Sequence, residues 1–295
     1  MSGVDFNAGR KSVKTAAGTV SYVERGSGPV ALFVHGVLLN GYFWRHQLAG
    51  LSDARRCIAP DLLAHGHTEV AAGQDVSVTA QAHMLAQFLD AIEVKQVDLV
   101  GNDSGGGVCQ IFATNYPQRV RSLTLTNCDA HDNWPPEAFK PFVEMVGFGG
   151  LPVTLNAMVQ DKSVFRSPGA LGPAYEDAAQ VTDDTIDTYL QPFTTCPTQM
   201  AALERFVNAF DNRHTVAIEA ALKELRVPTL IAWGTDDVYF PLQWSHWLEK
   251  AIPGTTRREE FKDARIFFPE ERPAQFNRVL RAHWLDSGKR AATKA

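Results

Sequence analysis

Cysteine is scarce in this chain. Its 295 residues include Cys57, Cys109, Cys128 and Cys196 and no others. Their wide spacing excludes a Cys-x-x-Cys metal or redox motif and a dense disulfide framework. It implies reduced, mostly buried thiols in a cytoplasmic protein. Long apolar runs are missing too: no segment approaches the roughly 20 residues that span a bilayer. Residues 1–10 contain no apolar core of the kind a secretory signal needs, so no membrane partner is expected. Positive charge is in deficit. Against 33 Asp and Glu there are 28 Lys and Arg, a net charge of −5 that gives nucleic acid no electrostatic help. No His, Cys or acidic cluster has metal-ligand spacing, and no phosphate-binding glycine loop stands outside residues 101–107, so neither a metal nor a cofactor is expected. What remains is a globular protein acting on a small-molecule substrate, as a monomer or homodimer.

Apolar residues make up 45% of the chain, enough for a sizeable core. The first segment alternates through Lys11–Thr15 and Thr19–Val23 around Ala17-Gly18, which reads as a hairpin. Val30–Val34 is a continuous apolar run ending at His35-Gly36, as a buried parallel strand is. A helical stretch through Trp44, His46 and Leu48, a strand at Arg56–Pro60, a helix at Ser77–Ile92 and a strand at Ser122–Thr126 continue the alternation. The alternation stops near His131. Residues 132–225 begin rich in proline and glycine and then show helical periodicity at 184–190, 199–210 and 216–225. Strand and helix alternate again from Pro228, with a terminal helix expected at Pro273–Trp284 and a frayed tail from Ser287. Such alternation predicts βαβ units, a mostly parallel sheet with helices on both faces. The domains read as 1–131 with 226–295 for the core and 132–225 for an inserted helical cap.

Residues 98–107, Asp-Leu-Val-Gly-Asn-Asp-Ser-Gly-Gly-Gly, carry most of the functional information. An apolar strand runs into Gly101 and a helix follows, so the turn matches Gly-x-nucleophile-x-Gly. With Asp103 as the exposed residue, Gly101 and Gly105 both fall where the turn needs glycine. With Ser104 there, Asn102 replaces the first glycine. The competing reading is a glycine-rich turn whose acid merely caps the next helix.

The chain resembles the α/β-hydrolase family. The resemblance rests on His35-Gly36 after a strand, Pro60-Asp61-Leu-Leu-Ala-His65-Gly66-His67-Thr68, the turn at 101–106, Trp233-Gly234-Thr-Asp-Asp237, and Glu270-Glu271-Arg272-Pro273. An acid at the turn is similar to the branch of haloalkane dehalogenases and epoxide hydrolases. There a carboxylate attacks an sp³ carbon, and a histidine oriented by an acid activates the water that releases the ester. The resemblance implies Asp103 as nucleophile, the backbone N–H groups of Val37 and Ser104 as oxyanion hole, and Asp237 as the orienting acid.

The same alignment puts Ile266 where the family has its histidine, and no histidine stands between His246 and His283. Ser104 and Val37 replace the Trp and Asn that hold a halide in dehalogenases. Cap tyrosines Tyr175 and Tyr189 stand in no context that matches an epoxide-polarising pair. A serine without histidine is nearly inert, whereas a carboxylate is already ionised at neutral pH, unless an apolar site raises its pKa, and can attack carbon unaided. Releasing the ester then calls for another base. His131, flanked by Asp129 and Asp132, is the candidate; His35, His65 and His67 read as scaffold. Asp237 either pairs with Arg265 or acts as a base itself. Three functions follow. One is an Asp-nucleophile hydrolase of epoxides or alkyl halides. Another is a lyase or isomerase using Asp103 or Asp237 as acid/base. The third is a ligand-binding protein without hydrolase activity.

Overall fold

A computed structural model describes residues 1–294, with side chains through residue 289. Eight strands form one sheet: β1 (Arg10–Thr15), β2 (Gly18–Arg25), β3 (Val30–Val34), β4 (Arg56–Pro60), β5 (Val97–Asp103), β6 (Val120–Cys128), β7 (Thr229–Gly234) and β8 (Thr255–Phe261). Their spatial order is β1-β2-β4-β3-β5-β6-β7-β8. The hairpin β1–β2 is antiparallel, as is β2 against β4, and every other neighbour pair is parallel. This is the expected α/β sheet of the hydrolase fold.

Burial explains the strand sequences. Every residue of β3, β5 and β7 is buried, because helices cover both faces of a central parallel strand. Edge strand β8 reads Thr-Thr-Arg-Arg-Glu-Glu-Phe and is only half buried, its charges blunting the open edge. Helices 78–91 and 104–115 pack against each other and the latter lies on β5 and β6, while 243–251 lies against β7.

Between β6 and β7 the described residues hold helices and no strand. The three expected helices are present at Asp183–Thr194, Pro197–Asn208 and Glu219–Glu224. Further helices stand at Lys140–Gly147, Leu151–Gln160, Lys162–Arg166 and Arg213–Val216, the first two in the stretch rich in proline and glycine. Pro141 and Pro152 sit in the first turns of these two, where a missing N–H costs nothing. The final helix runs from Pro273 to Lys294, past the expected end at Trp284 and through most of the tail expected to fray; Ala295 lies outside the described residues. No single helix among those described is long and apolar enough to cross a membrane, although the helical pair 137–147 and 151–160, bent by 107°, passes that test together.

Candidate active site

Four strands deliver the site at their carboxyl ends, where an open α/β sheet leaves its crevice. His35-Gly36-Val37 follows β3, Asp103 ends β5, Asp129 follows β6 and Asp237 follows β7. The turn at the end of β5 is as tight as its glycines suggest. Asp103 has φ 58° and ψ −136°, a conformation that costs a non-glycine residue about 1–3 kcal/mol and places it at the apex. A Cβ on Gly36 would come within 2.0 Å of Asp103 Oδ2, and one on Gly105 within 2.2 Å of the His35 carbonyl oxygen. Glycine at these two positions lets the two loops touch.

That contact has a purpose. The Val37 amide donates to Asp103 Oδ2 at 2.9 Å, and the neighbouring Ser104 amide lowers the carboxyl's pKa as well. Both expected donors therefore converge on Asp103. The Ser104 hydroxyl is buried without a hydrogen-bond partner, so no base addresses it.

A cavity of about 20 Å³ opens over Asp103, lined by Val37, Asp129, Phe210, Tyr239, Ile266 and Phe267 among others. Phe139, Leu171 and Tyr239 separate it from a larger cavity of about 510 Å³ enclosed mainly by the helices between β6 and β7. The small chamber is apolar except for Asp103, Asp129 and Tyr239. Burial lifts Asp103 to about 7, against its two amide hydrogen bonds and with the help of the Asp237 charge. Asp129 is pushed well above the carboxylate range, first by burial and then by the charge on Asp103. Its Oδ1 has no hydrogen-bond partner.

Asp237 does not line the chamber but stands behind Tyr239 and Phe240, which do. Asn127 donates to its Oδ2 at 2.6 Å and the Tyr239 amide to its Oδ1 at 2.9 Å. Burial lifts Asp237 to about 7 despite these bonds. Its expected ion pair with Arg265 is absent: that guanidinium lies 3.4 Å from Asp236 and bonds the carbonyls of Pro173 and Tyr175. Asn127, with its amide also fixed to Gly234, has taken over the orienting contact.

Ile266 stands in the chamber wall, and its carbonyl accepts from Asn102 Nδ2 at 2.9 Å. No histidine lines the chamber among the described residues. His131 does not supply the missing base: its ring lies on Trp247, with Nδ1 3.3 Å from Asp132 and Nε2 3.2 Å from Glu219. The surface acids of its own loop and of helix 219–224 draw it outward. His35 and His65 are fully buried, bonded to backbone and held at about 4 and about 3 by desolvation, which suits scaffold. Tyr175 and Tyr189 direct their hydroxyls to Glu270, at 3.3 and 2.9 Å, and Glu270 also pairs with Arg45. The residue that sequence reasoning undervalued is Asp129. Its place beside His131 suggests an orienting or a solvated acid; instead it is buried and lines the chamber. Its signal was its place immediately after a central parallel strand.

Residues 29–273 match the family described as alpha/beta hydrolase fold. The chain belongs to the α/β-hydrolase family. Over 246 residues it is 40% identical to the 2-hydroxy-6-oxo-2,4-heptadienoate hydrolase of Pseudomonas putida, covering 77% of this chain and 79% of that one. A haloalkane dehalogenase of Mesorhizobium japonicum is 31% identical over 191 residues, 63% of this chain and 60% of that one. Among solved structures, a meta-cleavage product hydrolase of Pseudomonas fluorescens superposes with a TM-score of 0.74 at 22% identity, covering 94% of this chain and 98% of that one. This last likeness speaks for the α/β-hydrolase fold alone.

Proposed function

We propose that the protein is an Asp-nucleophile enzyme of the α/β-hydrolase family, in which Asp103 attacks carbon of a small, largely apolar substrate. One observation carries this reading: the oxyanion-hole amide of Val37 already holds the Asp103 carboxyl, at 2.9 Å on Oδ2. Attack through Oδ1 turns Oδ2 into the carbonyl oxygen of an alkyl ester. That oxygen then sits on the donors that stabilise it when water adds. A serine nucleophile would need those donors free for the substrate's own oxygen.

The apolar wall suits a substrate with little charge, in line with relatives that are named haloalkane dehalogenase and epoxide hydrolase. Without an imidazole, release of the ester is the slow step. A general base contributes about 10²–10⁴-fold. Incubation with a panel of epoxides and haloalkanes, followed by intact mass spectrometry, should show one covalent adduct per chain, absent in Asp103→Ala. Absence of both adduct and turnover across the whole panel would contradict the proposal.

A second reading draws on the raised pKa values of Asp103 and Asp237, both about 7. Acids poised near neutral pH exchange protons efficiently, as an elimination or isomerisation requires. Product formed in ¹⁸O-water without solvent oxygen in either product or protein would favour it.

A further inference from the structure

We propose that Asp129 is the proton donor to the departing oxygen atom of the substrate that Asp103 attacks, which assigns the chamber to strained cyclic ethers. The inference rests on Asp103 being the nucleophile. Asp129 lines the same small cavity as Asp103, and its Oδ1 is buried with no hydrogen-bond partner. A buried, unpaired polar atom costs stability unless something else occupies it.

The other donors are spoken for or too weak. Tyr175 and Tyr189 bond Glu270. Tyr239 does reach the chamber, but burial and the charges of Asp237 and Asp103 push its phenol up to about 12. Asp129 carries the unpaired oxygen, and burial and the Asp103 charge push its carboxyl well above the usual carboxylate range, toward the protonated form a donor needs. A halide would gain little here, because Val37 and Ser104 offer no side-chain cradle for an anion.

The step balances with one proton on the pair. Asp103 Oδ1 bonds the ring carbon as the C–O bond breaks. The electron pair goes to that oxygen, which takes the proton from Asp129. A hydroxyalkyl ester and an ionised Asp129 result. The new carboxylate, with its high proton affinity, is then the base beside the ester. It takes a proton from the water that adds to the ester carbonyl and returns it to the alcohol oxygen as that oxygen leaves. A haloalkane leaves Asp129 protonated, so its ester has no such base.

The test compares an epoxide with an alkyl bromide of similar size on the full chain, following ester formation and loss by mass spectrometry. In the unmodified protein the epoxide-derived ester should turn over and the bromide-derived ester persist. Asp129→Asn should lower the ratio of epoxide to bromide labelling on the order of a hundredfold. Bromide labelling in the same variant reports that the Asp103 site is still folded. An equal loss of both rates, no change in the ratio, or a fall in the ratio with Tyr239→Phe instead would overturn the assignment. So would an epoxide-derived ester as persistent as the bromide-derived one. Silence of the unmodified protein toward both reagents would instead remove the Asp103 reading on which this one stands.

Discussion

The backbone amide of Val37 donates to the Asp103 carboxyl at 2.9 Å, across 66 residues of chain. This contact joins the loop after β3 to the turn after β5, and it exists only because Gly36 lets the two approach. It makes Asp103 the group that the site is organised to hold, and the following outcomes are expected from it.

Asp103→Gly should abolish covalent labelling and stabilise the fold. The positive φ of 58° favours glycine, and the substitution removes a carboxyl that burial has lifted to about 7. Relief of backbone strain is worth about 1–3 kcal/mol, partly offset by the greater freedom of glycine in the unfolded chain. A net gain of about 1 kcal/mol is the expectation, read from chemical denaturation. A less stable variant would mean that the strain is not stored there.

Haloalkane labelling should rise with pH and reach half its maximum near 7, since only ionised Asp103 attacks. Stability should move the other way. The folded state holds a proton on Asp103 up to about 7, whereas the unfolded carboxyl has lost it near 3.8. Between those values the folded state binds more protons, so stability falls as pH rises, and this contribution is flat above about 7. Asp237 adds the same sign over the same window. Melting temperatures of the unmodified protein and of Asp103→Asn across that range should therefore converge toward low pH. Parallel curves would contradict the buried titration.

Ile266→His should speed release of a haloalkane-derived ester about 10²-fold or more while leaving its rate of formation within a few-fold. Ile266 faces the chamber, so the imidazole would enter it. A pre-steady-state burst followed by a faster steady state is the expected signature. An unchanged steady state would show that Asp237 is not placed to orient the new ring.

Phe139→Ala should open a passage between the chamber and the larger cavity of about 510 Å³, because Phe139 lines both. Labelling by long-chain reagents should accelerate relative to short ones. Equal acceleration of both, or none, would place the route elsewhere.

Tyr189→Phe should destabilise by about 1.5–3 kcal/mol, the range for a hydrogen bond to a charged group, here Glu270. Its labelling by epoxides should match that of the unmodified protein, since the hydroxyl does not face the chamber. A specific loss of epoxide labelling would return this tyrosine to the reaction.

The strands were legible because the central ones are uninterrupted apolar runs, and the turn at Asp103 because glycine spacing reports close backbone approach. Helices 140–147 and 151–160 were hidden by Pro141 and Pro152, which punctuate a loop and open a helix with equal ease. The extension of the last helix beyond Trp284 was also hidden, since small and charged residues carry no periodicity to read. The site divided along the same line. Asp103 and Ser104 sit in one glycine-spaced turn and Val37 directly follows His35-Gly36, so each is marked by its own local motif. The outward turn of His131 to Glu219, the diversion of Arg265 to Asp236 and the orientation of Asp129 into the chamber depend on contacts far apart in the chain. No spacing rule announces them.

The central claim is that Asp103 becomes an ester and is restored by water. Peptide-level mass spectrometry of protein turning over an epoxide in ¹⁸O-water tests it most directly. Asp103 should first carry the mass of the substrate and then, after release, a heavy oxygen in its own carboxyl. Heavy oxygen found in the product alone, with Asp103 never modified, would contradict it.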